Sequence, residues 1–159
     1  MDGSTPLFLP QMAPLYQAVG PAAETLIRIV VGLALIPHAL RFCFGMFPNS
    51  GSRALSIDIL KVGLERSGYR PGRFWAYAIA VTELAGGPML ALGLLTRPVA
   101  AIIFVFLLNA VIEHWRFDGY FWNKLGLEYP MIWSAAVLFF VVHGGGIYSL
   151  DSWLVGHEF

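Results

Sequence analysis

The sequence predicts an all-α fold: a four-helix transmembrane bundle with a short amphipathic helix between helices 1 and 2. Three observations predict it. First, 57% of the residues are hydrophobic and only 13% are charged, with a mean hydropathy of +0.67, whereas soluble domains carry about 25% charged residues. Second, a chain of 159 residues is too small to bury that much apolar surface in its own interior. Third, four apolar segments approach the length of about 20 residues that crosses a bilayer, and no long alternating pattern predicts strands.

Helix 1 is predicted over residues 23–45 and helix 2 over residues 74–95. Helix 1 is interrupted by four charged or titratable residues, Glu24, Arg28, His38 and Arg41. Helix 2 is cleaner, because Glu83 is its only charged residue. Both segments are therefore long enough to span a membrane, and each carries polar groups into it.

Helix 3 is predicted over residues 99–115 and helix 4 over residues 127–143. Helix 3 is apolar until Asn109. Helix 4 begins beside Glu128 and is followed by three glycines, residues 144–146, which favour the end of a helix over a phosphate-binding loop.

The longest connection, residues 48–73, contains a segment with helical periodicity. Leu55, Ile59 and Val62 recur at helical spacing among basic and polar residues. This pattern is typical of an amphipathic helix that lies on a membrane surface. A lid over the end of the bundle would show the same pattern, so both interpretations stay open.

The domain organisation follows from these elements. Residues 22–151 form the predicted membrane domain, and residues 152–159 form a C-terminal tail. Residues 1–21 are predicted to be an extended N-terminal arm, because residues 1–20 contain three prolines and no Lys or Arg. A signal peptide would need a basic start followed by a compact apolar core.

The distribution of Lys and Arg predicts the orientation. Four spans place both termini on one side of the membrane, where only two basic residues fall. The other eight fall at the helix 1–2 and 3–4 connections: Arg41, Arg53, Lys61, Arg66, Arg70, Arg73, Arg116 and Lys124. The positive-inside rule places these connections in the cytoplasm, so we expect both termini in the periplasm of an inner-membrane protein.

Composition also excludes several classes of function. The formal net charge is zero, which gives no basic footprint for nucleic acid. The lone Cys43 rules out an intrachain disulfide and a Cys-rich metal site, and we expect no metal. The sequence contains no CxxC, no HExxH and no phosphate-cradling loop, so it shows no independent catalytic motif.

The polar residues of the predicted spans fall mainly in one half of the bilayer. At 1.5 Å per residue, Glu83 lies about 13 Å from the cytoplasmic end of helix 2, and His38 and Arg41 lie about 10 and 6 Å from that end of helix 1. A charge at this depth costs at least about 2.5 kcal/mol when unpaired. We therefore predict a polar cluster in which Glu83 meets His38 and Arg41, and to which Asn109 and Glu128 add hydrogen bonds.

Small residues and prolines adjoin this predicted cluster. Gly86 and Gly87 share a helix face with Glu83, and with Pro88 and Gly93 they are predicted to serve helix packing. Pro37 and Pro88 each remove a backbone hydrogen bond, which is tolerated at membrane depth where the backbone is buried or lines a cavity.

The cluster has a structural and a functional interpretation. A buried ion pair can simply fix the register of packed helices. Ionisable groups inside a membrane are, however, functional by default, and a quinone head group or a proton relay would use these side chains. His38 and His114 could approach a haem from facing helices, and His143 lies at the opposite end. Haem is disfavoured because no spacing marks these histidines as ligands.

Three segments resemble the DoxX family of small bacterial membrane proteins. They are residues 26–32 (LIRIVVG) with His38, residues 83–87 (ELAGG) with residues 92–97 (LGLLTR), and residues 144–151 (GGGIYSLD). The family commonly has Gly after the His and Lys three residues after it, where this chain has Ala39 and Arg41. Arg does not readily act as a base.

The resemblance implies a four-helix bundle in the bacterial inner membrane. Relatives are described as a subunit of thiosulfate:quinone oxidoreductase or as membrane partners of sulfur-handling and antioxidant enzymes. The first hypothesis is therefore a membrane subunit of a quinone-linked redox assembly, with a protein partner or self-association. The alternative is a non-catalytic anchor or assembly factor for a partner enzyme. A solute transporter ranks last, since no inverted repeat is visible.

Overall fold

The computed structural model describes residues 8–156, apart from the side chain of Val155. All regular elements in this range are helical. The α-helices are α1 (Ala13–Phe44), α2 (Ile57–Arg66), α3 (Gly72–Val81), α4 (Gly87–Leu92), α5 (Thr96–Phe117), α6 (Glu128–His143) and α7 (Leu150–Val155), with a π turn at Thr82–Gly86 and 3-10 turns at Pro10–Met12 and Trp122–Lys124.

The predicted fold class is confirmed. Within the described range, three stretches are long and apolar enough to cross a membrane: Pro10–Phe44, Gly72–Leu92 and Thr96–Phe117. The fourth helix, α6, is apolar but shorter, with 16 residues. These four units correspond to the four predicted spans.

Helix α1 begins ten residues earlier than predicted. It starts at Ala13, so the prediction of an extended arm is wrong for residues 13–21. Pro14 occupies the first turn, where a backbone N–H has no intrahelical partner and proline is favoured. The helix ends at Gly45, whose left-handed backbone lets its N–H donate to the carbonyl of Arg41 at 2.8 Å.

The predicted short helix between helices 1 and 2 is present as α2. The Ser56 hydroxyl accepts a hydrogen bond from the Ile59 N–H at 3.3 Å and so caps its N-terminus. Ile57 and Leu60 pack against a core cluster on α1 and α3, whereas Ile59 and Val62 are exposed. This helix therefore has an apolar contact with the bundle and further apolar residues on its outside.

The second span is not a uniform α-helix. It is divided by the π turn at Thr82–Gly86, and it ends at Leu92, three residues before the predicted end. Pro88 has no N–H and its ring crowds the carbonyl one turn before it. Widening of the backbone just before Pro88 accommodates that missing hydrogen bond, and such π turns occur often at functional sites.

The bundle core forms where small residues bring α1 and α4 together. A Cβ atom on Gly32 would lie 2.4 Å from the Gly87 carbonyl oxygen and 2.6 Å from the Ala91 backbone nitrogen. A cluster of buried apolar side chains from α1, α4, α5 and α6 forms the core of the bundle: Val31, Leu35, Leu90, Ile103, Leu107, Val137 and Phe140. The core therefore depends on close backbone approach as well as on large side chains.

The chain after α6 contains an element that the sequence did not predict. Ser149 caps the short helix α7, with its hydroxyl accepting from the Ser152 N–H at 3.1 Å. Residues 152–155 of the predicted C-terminal tail are thus helical. Residues 157–159 lie outside the described range.

Candidate functional site

Polar groups cluster in two regions at opposite ends of the bundle. We call the first the terminal network: Arg28, Thr96, Gly145, Ser149 and Asp151. We call the second the loop-end site: His38, Arg41 and Glu83. The two regions differ in how completely their polar atoms are paired, and that difference indicates which of them is available for chemistry.

Arg28 is the largest polar side chain in the terminal network and is only 1% exposed. Its guanidinium donates to the Ala91 carbonyl at 3.4 Å through Nε and to the Tyr148 carbonyl at 2.8 Å through Nη2. It also donates to the Gly145 carbonyl. Arg28 therefore joins α1 to α4 and to the loop after α6.

Asp151 is likewise 1% exposed. Its carboxylate accepts from the backbone N–H groups of Leu95 and Thr96 at 2.7 and 2.8 Å, and from the Thr96 hydroxyl at 2.8 Å. A negative charge at the N-terminus of α5 is also favoured by the helix dipole. Asp151 therefore fixes the turn between α4 and α5.

Glycines give the terminal network its space. Gly93 has a left-handed backbone (φ +71°), and a Cβ there would lie 2.7 Å from Nη1 of Arg28. Gly145 is equally confined by Ser149 and Thr96. Sequence reasoning missed this network, although its signal was present: the three family-like segments each contribute a polar residue, Arg28, Thr96 and Asp151.

Glu83 is the central residue of the loop-end site. It lies within the π turn, is 5% exposed, and its Oε2 atom is buried without a hydrogen-bond partner among the described residues. Most buried polar atoms in proteins are paired. An unpartnered carboxylate oxygen inside a membrane bundle is therefore a candidate for binding a proton or a ligand.

Arg41 lies in the last turn of α1 and is mostly buried. Its Nε donates to the Ala54 carbonyl at 3.0 Å, which ties the following loop to the helix. No ion pair within 4.0 Å joins Arg41 to Glu83. Arg41 therefore does not neutralise the Glu83 carboxylate by direct contact.

His38 and Arg41 line one groove at this end of the bundle. The groove has a volume of about 550 Å³, and its other walls are Pro37, Phe47, Pro48, Asn49 and Ser50. His38 is exposed and makes no hydrogen bond or ion pair with a described residue. Glu83 does not line the groove. Of the three loop-end residues, His38 and Arg41 are therefore the ones that a ligand in the groove would contact.

The two remaining predicted residues make other contacts. Asn109 accepts from the Tyr69 hydroxyl at 2.8 Å and donates to the Val105 carbonyl at 2.8 Å. Glu128 accepts from the Trp122 N–H at 3.1 Å. Within the described chain, no hydrogen bond and no ion pair within 4.0 Å joins any two of the five predicted residues. Asn109 and Glu128 therefore make these hydrogen bonds outside the loop-end site. The predicted direct contacts of Glu83 with His38 and Arg41 are likewise not found among the described residues.

A further set of contacts ties the connections to α5. Ser67 donates to Glu113, and Arg53 pairs with Asp118 at 2.5 Å. His114 contacts both Asp118, at 3.2 Å, and the Leu125 carbonyl. In the described part of the chain, no three His, Cys, Asp or Glu side chains are placed to hold a metal ion. These contacts tie the α1–α3 and α5–α6 connections to the C-terminal end of α5.

The predicted packing residues play different parts. Gly87 is required for the approach of α4 to α1, and a Cβ there would lie 2.7 Å from the Gly32 carbonyl oxygen. Gly86 faces Ile103 of α5, where a Cβ would make an ordinary contact at 3.5 Å. Pro88 follows the π turn at the start of α4.

These features define a membrane protein built as a helical bundle, with a paired polar network at one end and an unpaired buried acid near the other. The chain belongs to the DoxX family: the DoxX family model matches residues 23–115, more than half of the chain. The matched range contains Arg28, His38, Arg41 and Glu83, but the family-like segment at residues 144–151 lies outside it. Comparison with curated proteins and with solved structures found no match.

Proposed function

We propose that this DoxX protein is the integral membrane subunit of a quinone-linked redox assembly. In this proposal His38 and Arg41 contact a quinone head group in their groove, and Glu83 exchanges a proton behind it. The single observation that carries the proposal is the Oε2 atom of Glu83, which is buried without a hydrogen-bond partner among the described residues.

The chemistry of the groove residues supports a quinone. A quinone takes up two electrons and two protons when it is reduced. A guanidinium and an imidazole both donate hydrogen bonds to a carbonyl oxygen. Arg41 is suited to this role because only its Nε is bound to Ala54, while its terminal nitrogens have no hydrogen-bond partner in the described structure. The apolar walls of Pro37, Phe47 and Pro48 would contact the ring.

The position of Glu83 supports a proton-handling role. A carboxylate that is both buried and unpaired is costly in its charged form, so proton uptake relieves that cost. Arg41 lines the groove at the end of the bundle where Glu83 is buried, and a positive charge favours the ionised form of a carboxylate. A quinone that engages Arg41 would therefore alter the protonation of Glu83.

The test is the quinone-linked activity of the purified assembly with Glu83→Gln. This change keeps the size of the side chain and removes its ability to take up and release a proton. We expect the activity to fall by about two orders of magnitude, the scale of a lost acid–base group, with the assembly intact. Glu128→Gln is the matched control, because Glu128 accepts from the Trp122 N–H away from the groove.

An unchanged activity of the Glu83→Gln assembly would remove the proton-handling mechanism. An equal loss in the Glu128→Gln control would show that the effect is general to carboxylates at this end of the bundle. A specific loss in the Glu83 variant, with normal subunit composition, is the result that the proposal requires.

A second candidate function is a non-catalytic anchor for a partner enzyme. The observation that favours it is an apolar surface at the terminal end of the bundle, where Trp153 is 79% exposed and Tyr148 and Leu154 are also exposed. Exposed aromatic residues of this kind often contact proteins or the membrane interface. In this case Trp153→Ser would release a co-purifying protein, while Glu83→Gln would leave the complex and its activity unaffected.

We also propose the orientation that the basic residues favour. The α1–α3 and α5–α6 connections would lie in the cytoplasm and both termini in the periplasm of the inner membrane. Reporter fusions test this directly: a periplasm-active reporter at the C-terminus should be active, whereas the same reporter inserted after Ser50 should be inactive.

A further inference from the structure

The outward face of α3 carries a long apolar groove that the proposed function does not use. The groove has a volume of about 730 Å³ and is lined by Pro71, Arg73, Phe74, Tyr77, Ala78 and Val81. Phe74, Tyr77, Ala78 and Val81 are spaced as one face of a helix. We call this surface the α3 groove. It is distinct from the groove of His38 and Arg41, with which it shares no lining residue.

The length of the α3 groove matches one leaflet of a bilayer. From Pro71 to Val81 the helix rises about 15 Å, at about 1.5 Å per residue. The hydrocarbon core of a bilayer is about 30 Å thick, so half of it is about 15 Å. Trp75 and Phe74 pack edge to face at the shallow end, where aromatic residues mark the membrane interface. The groove therefore runs from the interface toward the bilayer centre.

Positive charge is concentrated at the shallow end of the groove. Arg66, Arg70 and Arg73 are all exposed, and none makes an ion pair within 4.0 Å with a described residue. On α2, the Glu65 carboxylate accepts from the Gly72 N–H at 3.3 Å and makes no ion pair within 4.0 Å with these arginines. These three guanidiniums therefore leave a positive potential at the level of the lipid head groups.

Arg73 connects this charge to the groove itself. Its guanidinium carbon lies 5.8 Å from the centre of the Tyr77 ring, within the range of a cation–π contact. This contact holds the Arg73 side chain against the wall of the α3 groove. The α3 groove is apolar, is about as long as one leaflet is thick, and has arginines at its shallow end. Its shape and charge therefore complement those of a phospholipid with an anionic head group.

We propose that the α3 groove binds an anionic phospholipid. One acyl chain lies along Phe74, Ala78 and Val81, and the phosphate is held by Arg70 and Arg73. Guanidinium and phosphate form paired, charge-assisted hydrogen bonds, and basic residues near a membrane surface attract anionic lipids by about fivefold in affinity per residue. Occupancy of this site depends on the lipid composition of the membrane and does not involve redox chemistry.

The test measures lipid selectivity by native mass spectrometry of the whole protein, released from nanodiscs that contain equal amounts of phosphatidylglycerol and phosphatidylcholine. For the wild-type protein we expect phosphatidylglycerol to be retained at least tenfold over phosphatidylcholine. In the double variant Arg70→Gln and Arg73→Gln we expect this preference to fall about tenfold or more. Lys124→Gln is the matched control, since Lys124 is an exposed cation on the α5–α6 connection, and it should change the preference less than twofold.

A variant inside the groove tests the acyl-chain part of the proposal. Ala78→Phe places a large side chain in the groove without altering a charge. The retention of phosphatidylglycerol and that of phosphatidylcholine should therefore fall by the same factor. Equal retention of the two lipids by the wild-type protein would overturn the proposal, as would an unchanged preference in the double arginine variant. A dimer that Ala78→Phe dissociates would show that a second copy of the chain covers this face, which also overturns it.

Discussion

The close contact between α1 and α4 leads to a prediction with a built-in control on the same helix. A Cβ atom on Gly32 would lie 2.4 Å from one backbone atom and 2.6 Å from another, on Gly87 and Ala91. Backbone atoms cannot rotate away, so Gly32→Ala forces the helices about 1 Å apart, and overpacking of this kind costs typically about 1–3 kcal/mol. Gly20, also in α1, has nothing within 4 Å of its Cβ position.

The two substitutions should therefore change stability in opposite directions. Gly20→Ala gains helix propensity and should stabilise the protein by about 0.5–1 kcal/mol. Gly32→Ala receives the same gain but should be destabilised by about 1–2 kcal/mol net. Thermal unfolding in mild detergent measures both changes, and at about 2–4 °C per kcal/mol the melting temperatures of the two variants should differ by roughly 3–12 °C. If Gly32→Ala were as stable as Gly20→Ala, the close contact of α1 with α4 would be refuted.

Three further changes test the polar regions by equilibrium unfolding. Asp151→Ala removes three hydrogen bonds to a buried carboxylate and should cost about 3–5 kcal/mol, whereas the exposed Asp58→Ala should cost no more than about 1 kcal/mol; equal costs would contradict the terminal network. Glu83→Met should stabilise the bundle by about 1–2 kcal/mol while abolishing quinone-linked activity, and a loss of stability would show that the carboxylate is paired. Tyr69→Phe removes the bond to Asn109 and should cost about 1 kcal/mol, with no cost if that bond does not form.

The four spans were predictable because hydropathy reports directly on lipid exposure. The residues at which the spans begin and end were harder to predict. The predicted start of α1 is ten residues late because a proline in the sequence favours a helix break, whereas Pro14 lies in the first turn of α1, where proline is tolerated. The π turn before Pro88 was foreseen only as a kink, since the sequence does not show whether a missing hydrogen bond bends a helix or widens it.

Depth along the helices predicts the burial of Glu83 and its position at the same end of the bundle as His38 and Arg41. Asn109 was assigned to the same site because depth alone does not specify direction around a helix, and its partner Tyr69 arrives from a connection whose path the sequence does not show. The network around Arg28 was missed for a related reason: its described partners are the backbone carbonyls of Ala91, Gly145 and Tyr148, which carry no residue-specific signal.

The most direct test of the central claim is quinone binding by the purified protein in nanodiscs. A short-chain quinone analogue is titrated into wild-type protein and into Arg41→Gln, with Lys124→Gln as the control and circular dichroism to confirm intact helices. A charged hydrogen bond of about 1.5–3 kcal/mol predicts saturable binding that weakens by at least about tenfold in Arg41→Gln and is unchanged in the control. Absence of saturable binding to the wild-type protein, or equal binding by all three proteins, would contradict the account.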